Sequence, residues 1–398
     1  MKKYDTLGRR EVNSLKWNVA EDVLPMWVAD MDLETAPNVK RDIINRARHG
    51  TYGYTIVSDD WYNSIISWWE RRHNVNIEKD WLLYSNGVVP AITSSIKRVS
   101  NIGDNILTLT PVYDIFFHSI ENTGRHVVEH QLMYDTSKYD KPNESFKINF
   151  EYLEKQLADP LTTVLLLCNP NNPTGNIWSD KELNTILWLC NMYNVTVICD
   201  EIHCDIVSPG YKYNSILKFA PQYPRMIVCL SASKAFNIAG LQTSAVVIPD
   251  KHLNDIVNRG LNSDELAEPN AFAINAVVSA FSQESEPWLD RLNQHIDINK
   301  QIVYSTLSDQ KNCEEIKVIK SNATYLLWID CGFPVGNLFT DYLYNSKGLY
   351  VSSGMQYRGS KSDHFIRLNA ACPTENLVLA ISKLANGFSD FKDQFLNC

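Results

Sequence analysis

TTVLLLC, residues 162–168, runs straight into Asn169-Pro170-Asn171-Asn172-Pro173-Thr174-Gly175. A short, nearly continuous apolar run closed by prolines and a glycine reads as a buried strand ending in a rigid loop. Five more segments have the same character: WLLYS (81–85), NILTL (105–109), VTVIC (195–199), RMIVCLS (225–231) and SAVVIP (244–249). Between them, VVPAITSSIKRV (88–99) places Val88, Val89, Ile92, Ile96 and Val99 at helical spacing, and ELNTILWLCNMYN (182–194) reads as an amphipathic helix. Short buried strands separated by helices predict an α/β fold, with a parallel or mixed sheet covered on both faces. Such folds bind ligands beyond the carboxyl ends of their strands.

Outside this core, residues 250–310 read as largely helical, including NAFAINAVVSAF (270–281) and WLDRLNQHIDINKQIVYSTL (288–307). Strands follow at EEIKVIK (314–320), ATYLLWID (323–330) and HFIRLNA (364–370), then a helix over 374–388. The expected organisation is a large domain over 46–285 and a small α+β domain over 286–398, to which the N-terminal segment 1–45 contributes. The 398 residues are 44% hydrophobic and 21% charged, which excludes a disordered chain, a coiled coil and a small disulfide scaffold. Lysine and arginine number 37 against 46 acidic residues, a net −9 with no basic block, so neither nucleic acid nor an anionic membrane is an expected partner. The N-terminus has no apolar signal region, and no apolar run approaches the roughly 18 residues of a membrane span. The nine cysteines include no CxxC pair and several sit in apolar runs, which predicts reduced thiols and a cytoplasmic protein.

Four strand ends carry chemistry. Gly87-Val88 stands between a strand and a helix, where a backbone can approach an anion closely and helix amides can bind it. Asn172 lies in the proline-fixed loop, and its amide is a donor for a ligand oxygen. Asp200 ends the VTVIC strand, with His203 behind it, and a carboxylate there needs a partner. Lys234 follows Ser231 and Ser233 at the end of the next strand, where burial lowers proton affinity and favours a Schiff-base amine or a general base. Taken singly, these read equally as a turn, an N-cap, a salt bridge and a solvated lysine. Taken together they match what pyridoxal phosphate needs: a lysine for its aldehyde, a carboxylate for its ring nitrogen, and a phosphate cradle. No GxGxxG follows any strand, which argues against a dinucleotide.

At these residues the chain resembles a fold-type I pyridoxal-phosphate enzyme of the aminotransferase class I/II superfamily. Within it, the chain is most similar to the cystathionine β-lyase and cysteine C–S lyase branch. The resemblance rests on LKWN (15–18), PMWVADMD (25–32), YGYT (52–55), NGVVPAI (86–92), TPVYDIF (110–116), CNPNNPTG (168–175), CDEIHCDI (199–206), SASKAFNIAGLQTS (231–244) and FIRLNAACP (365–373). It implies the aspartate aminotransferase fold, a mixed seven-stranded sheet with a smaller α+β domain. It implies that Lys234 holds the cofactor and moves the Cα proton, that Asp200 pairs with the ring N–H, and that Asn172 donates to the ring oxygen. By the same resemblance Tyr113 stacks on the ring, and Gly87, Val88, Ser231 and Ser233 hold the phosphate. His203 is counted with the cofactor-binding residues. Arg367 clamps the substrate carboxylate, and Trp27, Val28 and Ala29 line the pocket. Tyr54 reaches the phosphate across the interface of a homodimer. The implied reaction is β-elimination from L-cystathionine or another S-substituted L-cysteine, with amino transfer to a 2-oxo acid as the alternative. Many aminotransferases carry an arginine a few residues after the lysine; here Asn237-Ile238-Ala239-Gly240-Leu241 follows, as in the lyase branch, and GMQYRGSKSDH (354–364) matches the branch only loosely.

Overall fold

In the computed structural model, which describes residues 4–309 and 313–395, Thr162–Cys168 is a strand whose side chains divide by parity. Val164, Leu166 and Cys168 join one apolar cluster and Leu165 and Leu167 another. Both faces are buried, which is why the run shows no polar alternation. This strand lies within a seven-stranded sheet ordered Leu82–Ser85, Ser244–Val247, Met226–Leu230, Thr196–Asp200, Thr162–Cys168, Asn105–Thr110, His126–Gln131. Ser244–Val247 alone runs against its neighbours, so the sheet is mixed, as expected. The carboxyl ends of the other six strands therefore share one edge.

One face is covered by the Val88–Val99 helix through Val88, Ala91, Ile92 and Ile96. The other packs against the Asp59–His73 helix, whose Trp61, Trp68 and Trp69 are buried. A second sheet is antiparallel and has four strands, ordered Lys317–Val318, Leu326–Asp330, Phe365–Asn369, Ser352–Ser353. Its core draws in Leu24 and Met26, and Leu24–Pro25 pairs with Leu349–Tyr350. The Glu286–Asp309 helix enters both cores, with Leu289, Leu292 and Ile296 in the first and Val303 and Leu307 in the second. The strand expected over 314–320 is narrower, pairing only at Lys317–Val318. Among the described residues the eight cysteines are free and buried, while Cys398 lies outside them. No described helix is long and apolar enough to cross a membrane.

Candidate active site

The shared edge of the sheet holds a cavity of about 250 Å3. Of the residues singled out in the sequence, Gly87, Val88, Tyr113, Asn172, Asp200, His203, Ser233, Lys234 and Ala29 line it. Gly87 caps the Val88–Val99 helix at φ +154°, and a Cβ there would sit 3.3 Å from Pro90 Cδ. The backbone therefore needs glycine where the helix presents its unpaired first-turn amides. Ser233 Oγ lies 2.7 Å from Ser231 Oγ, which donates to the Thr243 carbonyl at 2.7 Å. Ser231 thus stands behind Ser233.

Lys234 is half-buried, and its Nζ donates to the Ala29 carbonyl at 2.6 Å. Burial, reinforced by Arg367, lowers its pKa to about 8. Asp200 is buried at the end of its strand, and its Oδ1 accepts from the Ile202 amide at 3.0 Å. Burial raises this carboxyl to about 6, against the pull of that amide and of Lys234. His203 is buried with Nδ1 unpartnered. Burial first, then the charges of Lys234 and Arg367, push its pKa well below the usual imidazole range, so the ring is neutral. Burial likewise raises the pKa of Tyr113, whose ring packs edge-on against Phe116.

Arg367 reaches the site from the smaller sheet. Its Nη1 donates to Asn172 Oδ1 at 3.0 Å and its Nη2 to the Trp27 carbonyl at 2.7 Å. Its guanidinium lies 4.9 Å from the Tyr357 ring centre, and Nε is buried without a partner. With Oδ1 committed to Arg367, Asn172 keeps its NH2 end for a ligand acceptor. Trp27 stacks on Tyr350 at 4.8 Å, and its carbonyl also accepts from Ser352 Oγ. Tyr54 is not brought into the cavity of its own chain. It is fully exposed and lines a separate surface pocket that shares Asn86 and Gln242 with the cavity.

Residues 21–384 match the family described as aminotransferase class I and II. The chain belongs to this family. Among curated relatives it is 33% identical to cystathionine beta-lyase PatB of Bacillus subtilis (strain 168), over 98% of this chain and 99% of that one. Protein MalY of Escherichia coli (strain K12) is 30% identical, over 92% and 91% of the two chains. Among solved structures, cystalysin from Treponema denticola, which contains a pyridoxal 5′-phosphate cofactor, superposes with a TM-score of 0.90 at 26% identity. That match covers 98% of this chain and 100% of cystalysin.

Within this aminotransferase-family frame, the structure adds contacts that the sequence did not display. Tyr325 donates its hydroxyl to the Ala29 carbonyl at 2.9 Å, beside Lys234. Asn369, two residues past Arg367, donates to the Val28 and Asp30 carbonyls. Asn237, three residues past Lys234, bonds both the amide and the carbonyl of Met31. Asn237 and Asn369 fall inside the KAFNIAGLQTS and FIRLNAACP segments, but their partners are main-chain atoms that a sequence does not display.

Proposed function

We propose that the protein is a pyridoxal-phosphate-dependent carbon–sulfur lyase. It acts by β-elimination on L-cystathionine or other S-substituted L-cysteines. The observation that carries this reading is a half-buried lysine of lowered proton affinity and a buried carboxylate lining one cavity at the strand ends. The similarity to PatB supports the lyase branch.

The residues fit the cofactor. Two buried nitrogens, His203 Nδ1 and Arg367 Nε, lack partners in or beside the cavity. Gly87 leaves the helix amides open, and Asp200 is a carboxylate whose burial calls for a cationic N–H. Lys234 would hold the cofactor's aldehyde, Asp200 its ring nitrogen and Asn172 its ring oxygen. Tyr113 and His203 would flank the ring, while Gly87, Val88, Ser231 and Ser233 would hold its phosphate. When bound, the cofactor supplies an electron sink for the pair released with the Cα proton.

The chain's own residues do the rest. Arg367 binds the substrate carboxylate bidentately, an arrangement its planar fork favours. Trp27, Val28 and Ala29 wall the substrate side. Lys234 Nζ, free of its carbonyl partner, takes the Cα proton. The Cβ–S bond then breaks, and the sulfur leaves with the electron pair and gains a proton. Water hydrolyses the remaining three-carbon fragment to pyruvate and ammonia. L-cystathionine gives homocysteine.

We further propose a cytoplasmic homodimer with shared active sites, in which Tyr54 serves the partner's phosphate site. Each subunit combines a large domain over 46–285 with a small domain built from 1–45 and 286–398. The test of the reaction is incubation of the cofactor-loaded protein with L-cystathionine and no 2-oxo acid. Equimolar pyruvate and thiol are expected, and Lys234→Ala should lower that rate by at least about 10²–10⁴-fold. Absence of pyruvate, with amino acids still altering the cofactor's absorbance, would replace this reading with amino transfer.

A further inference from the structure

Residues 27–31 form neither helix nor strand, yet each of their carbonyls accepts a hydrogen bond from a side chain. Trp27 O accepts from Arg367 and Ser352. Val28 O accepts from Asn369 at 2.7 Å. Ala29 O accepts from Lys234 and Tyr325. Asp30 O accepts from Asn369 at 2.5 Å and from Lys16 at 3.3 Å. Met31 O accepts from Arg9 at 2.9 Å and from Asn237 at 3.0 Å. A segment without regular structure must satisfy its buried polar groups in this way.

The two asparagines have distinctive positions. Asn369 is fully buried and shares a strand face with Arg367, two residues before it. Its NH2 spans the carbonyls on either side of Ala29, while its Oδ1 accepts from the Ala371 amide at 2.8 Å. Asn237 sits one turn past Lys234 with φ +53°. Its Oδ1 accepts from the Met31 amide at 3.0 Å, and its NH2 donates to Met31 O and to Leu33 O at 2.9 Å. Each functional cation thus rests on a carbonyl of this strap, Arg367 on Trp27 and Lys234 on Ala29. Each also has an asparagine on its own element gripping the same strap.

We propose that Asn369 and Asn237 are positioning residues that set residues 27–33 against both Lys234 and Arg367. The Trp27 carbonyl holds the Arg367 guanidinium in place for the substrate carboxylate. The Ala29 carbonyl fixes where the lysine amine sits. Loss of Asn369 takes the side-chain donor from the Val28 carbonyl, and loss of Asn237 takes the partners of the Met31 amide and the Leu33 carbonyl, so the strap shifts to recover partners. Displacements near 1 Å in such a site cost roughly 100-fold in rate. The inference rests on the lyase reading for its substrate, while its geometry does not.

The test uses cofactor-loaded Asn369→Ala, Asn237→Gly and the double variant. Glycine at 237 tolerates the positive φ and removes only the side chain. Each single change should lower kcat/KM for L-cystathionine about 10-fold or more and weaken L-alanine binding, read from the cofactor's absorbance. It should also speed amide hydrogen exchange across 27–33. Acting through one strap, the two should couple, so the double variant falls well short of the product of the singles. Folded, loaded variants with kcat/KM and L-alanine affinity within about twofold of the parent would overturn the proposal, whatever their melting temperature. If Asn369→Ala does not fold, Asn237→Gly decides alone. L-alanine binding and exchange report on the strap even if the parent releases no pyruvate, so failure of the lyase reading is told apart from failure of this one.

Discussion

Asp200 is destabilising to bury and useful once buried. Its carboxyl has a pKa of about 6 in the folded chain, raised by burial from an ordinary 3.8. A raised carboxyl pKa means that the folded state holds the proton more tightly. Its contribution to stability is therefore full below about pH 4 and lost as pH rises through about 6. At pH 8 the ionised group costs the cofactor-free protein on the order of 2–3 kcal/mol, a shift of two units at about 1.4 kcal/mol each. Asp200→Asn should stabilise the cofactor-free protein by about that amount at pH 8 and by little at pH 4, as read by urea unfolding at the two pH values. In the loaded protein the same change should slow elimination about 100-fold or more, because an amide does not hold a ring N–H as a cation. Lys234 has the opposite sign. Its pKa of about 8 lies below the ordinary 10.5, so its desolvated charge destabilises at neutral pH and stability rises as pH climbs from 8 to 10.5.

The loop after Thr162–Cys168 places Asn172, and Gly175 is the point where it meets the smaller sheet's approach. Gly175 has φ +70°, and a Cβ would lie 2.5 Å from Ser321 Cβ and 2.8 Å from the Ala323 carbonyl. That turn is held in turn by buried Lys300, which donates to the carbonyls of Ser321 and Ala323 at 3.2 and 3.1 Å. Gly175→Ala should therefore cost about 2–4 kcal/mol, adding left-handed strain to overpacking. Gly210→Ala, at φ +85° with nothing within 4 Å, should cost only the strain of about 1–2 kcal/mol. Denaturant midpoints of the two variants check the difference. The same elements show what the sequence displayed. Central strands were legible because burial on both faces leaves an unbroken apolar run. His126–Gln131 was not, since this edge strand, HVVEHQ, is half exposed and mostly polar. That Lys234, Asp200 and Gly87 meet at one cavity was legible because each is a residue of distinctive type placed at a strand end. The strap was not, because the groups that bond Lys234 and Arg367 there are carbonyls, which every residue has.

At the scale of the whole molecule, the exposed stretch around Tyr54 is the feature a single chain does not explain. Tyr52, Tyr54 and Ile56 are 58%, 101% and 80% exposed. Tyr52 and Tyr54 line a pocket that shares Asn86 and Gln242 with the cavity at the strand ends. An aromatic and aliphatic cluster left open next to a functional cavity is the pattern of a surface that a partner covers. If the partner is a second copy and Tyr54 has the role proposed above, symmetry makes each Tyr54 complete the other chain's site. Complementation tests this directly. Lys234→Ala and Tyr54→Ala homodimers should each be weak. Random re-association would make half the dimers mixed, and one site in each mixed dimer would combine an intact Lys234 with an intact Tyr54. Mixing the two variants should then restore activity to about one site in four. If Tyr54 instead served its own chain, every site in the mixture would lack one group and no activity would return. The recovered fraction therefore decides whether the site belongs to one chain or two.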